Sequence, residues 1–292
     1  MTESPELMRR QLRTTLRRCR EVAMLTQEAV AATLDWSVSK LIRIENGSVG
    51  ATPTDVRALL EVYGVRDSEK IGQLVQLARD SRKQPWAQYK DVYSQAALTL
   101  FAYEAAADTI YKYEPIFIPG LLQVEEYSRA LFIGLGNRDN VDIDRMVSAR
   151  LARQEILDRD AGPKLHFIIG EAAIRCVVGG PAVMTRQFEL LKYVSKRPHV
   201  SLQIMPFLAG AHPKMGGAFT ILEFDNPDIE DLLYLEHAGG DSVSRDNPED
   251  IAEFRNDFKL LQEMASEPSD FAAALDVLIE DGGHLHWPGR GP

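Results

Sequence analysis

Few side chains in this sequence are spaced for catalysis. His284 and His286 stand one residue apart, which suits two ligands of a metal ion, but no third ligand lies nearby. His166, His199, His212 and His237 are scattered, and no nucleophile–base pairing can be read among them. Gly179-Gly180-Pro181 has the glycines of a phosphate-cradling loop without its closing lysine and serine or threonine, so it reads as a turn before a helix. Arg150 and Arg153, with Glu171 downstream, have the charges for a polar site, although paired helix charges are usually salt bridges. The densest chemistry is cationic. Arg9, Arg10, Arg13, Arg17, Arg18 and Arg20 all fall in one short stretch. It reads either as a clamp for phosphates or as a solvated helix face. Arg20 is set apart by its place near the apolar stripe.

Composition bounds what these residues can serve. The chain has 292 residues, enough for two domains at roughly 150 residues each. Two distant cysteines, Cys19 and Cys176, fit a reduced compartment and no disulfide scaffold. There is no run of 18 apolar residues and no apolar stretch of a secretory signal at the start, so a cytoplasmic protein is expected, without a membrane partner. The net charge of -10 is unevenly spread. Residues 1–90 hold 15 Lys and Arg against 11 Asp and Glu, whereas residues 91–292 hold 18 against 32. An acidic body is repelled by phosphates, so only the first part can face a polyanion.

The elements that must position these groups are legible early in the chain. Met8, Leu12, Leu16, Cys19 and Ala23 recur at steps of three and four, which predicts a helix from Pro5 to Met24. Thr26 caps a short second helix that turns Val30, Ala31 and Leu34 inward. A turn at Asp35-Trp36 leads to Ser37, the cap of a third helix that runs to Asn46, buries Leu41 and Ile44 and closes at Gly47. Trp36 reads as a half-buried lid on the bundle or as a stacking surface. Thr52-Pro53-Thr54-Asp55 has the form of a reciprocal cap for a fourth helix ending at Tyr63-Gly64. A fifth helix spans Asp67 to Arg82, and Lys83–Ala87 reads as a linker. Beyond it, helical patterns cover 88–112, 123–134, 141–160, 181–196, 248–266 and 268–280. Strand-like runs cover Leu165–Ile169, Val200–Pro206, Ala218–Phe224 and Leu232–Glu236. The expected fold is therefore an N-terminal all-α five-helix bundle (1–83), an α+β C-terminal domain (84–281) and a flexible tail (282–292).

Leu25-Thr26-Gln27-Glu28, then Ala31, then Ser37-Val38-Ser39-Lys40-Leu41-Ile42-Arg43-Ile44-Glu45-Asn46-Gly47 resembles the helix-turn-helix of phage-repressor-like (XRE-type) transcriptional regulators over residues 12–65. The resemblance implies double-stranded DNA as partner, with the third helix in the major groove. By position it makes Val38, Ser39, Lys40 and Arg43 the base contacts and Gln27 and Asn46 the phosphate contacts. It also places Arg20 against Glu45 as a structural ion pair. The chemistry suits these roles: a guanidinium meets guanine O6 and N7 bidentately, and short amides grip phosphate oxygens. Met24 and Asp35 stand where the family prefers glycine.

In the second half, Tyr113-Glu114-Pro115-Ile116-Phe117-Ile118-Pro119-Gly120-Leu121-Leu122-Gln123, Arg150-Leu151-Ala152-Arg153-Gln154, Gly170-Glu171-Ala172-Ala173, Met205-Pro206-Phe207 and Gly216-Gly217-Ala218-Phe219 resemble a C-terminal domain of unknown function (DUF5753-like) that follows such bundles in actinobacterial regulators. It brings no catalytic residues, cofactor or metal. The Pro119–Leu122 segment reads as a buried loop or as the rim of a ligand pocket. The combined expectation is a nucleoid-associated, homodimeric, non-enzymatic regulator whose C-terminal domain senses a protein partner or a ligand. Two alternatives stand beside it: an antitoxin-like protein that neutralises a small partner encoded nearby, and a small-molecule-sensing repressor.

Overall fold

Leu12 and Leu16 fall one helical turn apart, and both are buried in α1 (Pro5–Val22) of the computed structural model. The structure describes residues 5–81, 86–136, 142–159, 162–226, 229–236, 242–245 and 247–282. The domain boundary expected after residue 83, the start of the linker, His237, His284, His286 and the tail beyond Gly282 lie outside them. Four more helices follow α1: α2 (Gln27–Thr33), α3 (Val38–Glu45), α4 (Pro53–Val62) and α5 (Ser68–Asp80). Val30, Leu41, Ile44, Val56, Leu59 and Val75 close the core with α1's leucines. Thr52 and Asp55 form both bonds of the reciprocal cap at the start of α4, satisfying N–H groups that no helical turn can reach.

These helices belong to the first of two compact units, which comprises residues up to 88 together with 99–106 and 224–230. Within it Arg10 is almost wholly buried. Its guanidinium lies over the Tyr103 ring at 5.7 Å and 3.6 Å from the Glu230 carboxylate. A buried cation held by a carboxylate and an aromatic face avoids the penalty of stranding it.

The second unit comprises residues 89–98, 107–223 and 231 onward. Its six-stranded sheet has the order β3-β2-β1-β4-β5-β6, built from Thr109–Glu114 (β1), Lys164–Gly170 (β2), Val200–Met205 (β3), Phe219–Glu223 (β4), Leu232–Glu236 (β5) and Ser242–Arg245 (β6). β1, β2 and β3 run parallel, and β4, β5 and β6 continue antiparallel. Parallel neighbours need crossovers. Helices α7 (Glu125–Gly134) and α8 (Ile143–Arg153) lie between β1 and β2, and α9 (Glu171–Arg175) and α10 (Pro181–Val194) between β2 and β3. On one face Tyr113, Ile168, Phe219 and Leu233 pack with Phe258 and Leu261 of α11 (Pro248–Met264). α12 (Phe271–Gly282) follows. At the end of β2, a Cβ on Gly170 would run into the Pro115 carbonyl, so the β1 and β2 ends approach as only glycine allows.

The helical pattern expected over 88–112 is corrected. Helix α6 covers only Gln95–Glu104, and β1 begins at Thr109. Thr109, Ile110, Tyr111 and Tyr113 are strand formers, and β1 sits between two partners in the sheet. The strand-like runs of the sequence do not include β6 either.

Candidate nucleic-acid interface

The candidate interface begins with two left-handed residues. Met24 (φ 58°) ends the turn after α1, and Asp35 (φ 53°) turns the chain between α2 and α3. Thr26 Oγ1 accepts from the Ala29 N–H at 3.2 Å, and Ser37 Oγ accepts from the Lys40 N–H at 3.2 Å. Both helices thus start on side-chain caps. Gly47 (φ 79°) follows its C-terminal cap, Asn46.

The inner side of α3 is anchored twice. Leu41 and Ile44 are buried in the core. Beside them Arg20 donates Nε–H to Glu45 Oε1 at 2.7 Å and Nη2–H to Oε2 at 3.0 Å. The two side chains are only 12% and 5% exposed. Arg20 Nη1 also donates to the Leu25 carbonyl at 2.9 Å, and Gln27 Nε2 donates to Glu45 Oε2 at 2.7 Å. The bond to Glu45 holds the Arg20 pKa above its ordinary value against the pull of burial. One carboxylate therefore ties α1, the start of α2 and the end of α3 together.

The outer side of α3 presents Ser39, Ile42, Arg43 and Asn46 to solvent. Their spacing puts them on a single helical face. Arg43 reaches back to the Ser39 carbonyl at 3.3 Å, a weak local bond that leaves most of its donors outward. Asn46 accepts the Ser48 N–H on its side-chain oxygen at 2.9 Å. Val38 is half-buried. Lys40 is turned aside: its ammonium lies 2.8 Å from Asp55 Oδ1 and 3.5 Å from the centre of the Trp36 ring. Burial pushes the Asp55 carboxyl up, but bonds from Lys40 and Thr52 bring it below its ordinary value. Trp36 is half-buried against the core, where a lid on the bundle would sit. Asp55 as the holder of Lys40 has no signal in the sequence, since nothing local links positions on different helices.

The arginine run also resolves. Arg9 donates to the Ser81 carbonyl at 2.7 Å, at the C-terminus of α5, where a cation is favoured. Arg13 donates to the Asn46 carbonyl at 3.0 Å, and Arg17 pairs with Glu21 at 3.0 Å. With Arg10 buried and Arg20 on Glu45, most of the run braces the bundle. It is neither a continuous phosphate clamp nor merely a solvated face.

In the second unit Arg150 and Glu171, noted from sequence, are held by neighbouring side chains and backbone. Arg150 donates to Gln123 Oε1 at 2.6 Å and lies over the Phe132 ring at 4.3 Å. Glu171 pairs with Arg175 and accepts the Phe207 N–H at 2.7 Å. The Pro119–Leu122 segment is a buried loop, with Ile118, Leu121 and Leu122 inside. Gln154 and Gln187 side chains donate to the Gly120 and Leu122 carbonyls, and Gln123 donates to the Ile118 carbonyl just before it. Gly179 and Gly180, both at positive φ, form the turn before α10.

Residues 97–276 match the family described as a domain of unknown function, DUF5753, and residues 11–70 match a helix-turn-helix domain. The chain belongs to the DUF5753 family. No curated protein and no solved structure matches it. This DUF5753 chain thus carries a helix-turn-helix domain, which points to DNA binding and regulation. Among the described residues no helix is long and apolar enough to cross a membrane.

Proposed function

We propose that this protein is a sequence-specific, XRE-type DNA-binding transcriptional regulator that places α3 in the major groove. The observation that carries this reading is the division of α3 itself. Its back is fixed by Leu41, Ile44 and the Arg20–Glu45 pair, while Ser39, Arg43 and Asn46 face outward. Arg43 is the base reader, bidentate to a guanine. Val38, Ser39 and Lys40 complete the reading edge, and Lys40 must leave Asp55 to reach a base. Gln27 keeps one amide N–H beyond its bond to Glu45, and with Asn46 it holds phosphates and sets register. One short helix reads few base pairs, so the protein acts as a homodimer on half-sites about 34 Å apart. Selection from random duplexes tests all of this. The wild type enriches a two-half-site sequence, and Arg43→Ala loses about 1–3 kcal/mol of discrimination at one base pair per half-site with its melting unchanged. Enrichment of the same sequence with the same affinity by the variant would remove the assignment.

The second unit, in this reading, is regulatory and catalyses nothing. Support comes from exposed apolar side chains on loops that follow the parallel strands: Ile116 after β1, and Phe207 and Leu208 after β3. Such side chains suit a protein partner. The test is whether candidate partners, titrated onto the protein–operator complex, change its dissociation.

A further inference from the structure

The outward face of α3 carries one large apolar side chain among its polar ones. Ile42 is 40% exposed, between Ser39 one turn before it and Asn46 one turn after it, and next to Arg43. Its position gives it no part in the core, which Leu41 and Ile44 occupy. A β-branched side chain is also a poorer helix former than the residues usual at exposed positions. We propose that Ile42 is a specificity residue that reads thymine by contact with its C5-methyl group. The inference rests on the reading of α3 as the major-groove helix.

The chemistry is selective. In the major groove thymine alone among the four bases presents a methyl group. A side chain with no donor or acceptor therefore distinguishes one base of the four. Ile42 gains by burying its branched end on the methyl and loses that contact against cytosine, which carries only a hydrogen at C5. Arg43 and Ile42 are adjacent in sequence and share the exposed face, so the guanine read by Arg43 and the thymine read by Ile42 lie within a base pair or two of each other.

Removing the methyl while keeping the base pair tests this directly. The duplex enriched by the full-length protein is synthesised with each thymine replaced in turn by deoxyuridine, and binding is measured for the wild type and for Ile42→Ala. At one thymine per half-site the wild type is expected to weaken about fourfold, the worth of one buried methyl group. Ile42→Ala, on a surface position and melting as the wild type does, is expected to bind the two duplexes equally. Indifference of the wild type to every replacement overturns the proposal. So does a methyl dependence that survives in Ile42→Ala. Failure of the wild type to enrich any sequence removes the underlying reading of α3 and this inference with it, an outcome distinct from the other two.

Discussion

Glu45 accepts three hydrogen bonds, two from Arg20 and one from Gln27, and all three donors lie on other helices. Its replacement leaves a guanidinium that is 12% exposed beside an apolar core. Glu45→Ala is expected to cost about 3–5 kcal/mol in urea unfolding, since the guanidinium loses its paired carboxylate and keeps only the Leu25 carbonyl and the more distant Glu21. A loss below about 1 kcal/mol would mean that solvent reaches Arg20 freely. In the second unit the His166 ring stacks on Tyr111 at 5.0 Å, and its Nδ1 is buried with no hydrogen-bond partner. Burial lowers its pKa below the ordinary 6.5, only partly offset by Glu223. The unfolded ring therefore takes up a proton at a pH where the folded ring stays neutral. Stability is present above pH 6.5 and is lost as the pH falls below it. His166→Phe keeps the stack, and its unfolding free energy is expected to fall less than that of the wild type between about pH 7 and pH 5. Equal slopes for the two proteins would exclude His166 as the source.

At the scale of elements, the two turns that aim α2 and α3 are built on residues with a Cβ. Left-handed backbone costs such residues about 1–2 kcal/mol, less for Asp than for Met. Met24 is 90% exposed and packs on little, so Met24→Gly is expected to stabilise the bundle by about 1 kcal/mol, read as a raised melting temperature. An unchanged or lowered temperature would show that the turn stores no strain. Much of this unit is legible in the sequence alone, because caps and apolar stripes are local. Thr26, Ser37, Thr52, Leu41 and Ile44 each announce their place within four residues. What the sequence hides is nonlocal. Lys40 holds the right position for a base contact, and only the docking of α4 puts Asp55 against it. Likewise the apolar pattern runs β1 together with the preceding helix, since Leu98, Leu100, Phe101 and Ala102 are all buried and leave no clean stripe to mark where α6 stops. β2 to β5 show plainly as dense runs of branched and aromatic side chains. Ser242–Arg245 is too short and polar to show as a strand, and among the described residues it pairs with β5 alone.

The whole chain carries opposite charge in its two parts, and this sets its response to salt. Only residues 1–90 have a cationic surplus. The logarithm of DNA affinity is expected to fall linearly with the logarithm of salt concentration, with a slope of about -0.9 per phosphate neutralised. A flat dependence would mean that phosphates contribute nothing. The placement of β1 has a consequence for how a ribosome delivers this protein. β1 is made before both of its neighbours, yet it lies between them, and its ladder with β4 cannot close until residues 219–223 have emerged. Segment 224–230, which brings Glu230 to Arg10, follows directly. Helices α1 to α5 all lie within the first eighty residues and can assemble on the nascent chain before the sheet is made. The middle strand of the sheet meanwhile waits with one edge open, through most of the remaining translation, as a template for the wrong strand. Slow codons or starvation between β1 and β4 would lengthen that wait, and a chaperone that covers strand edges would matter most in that interval.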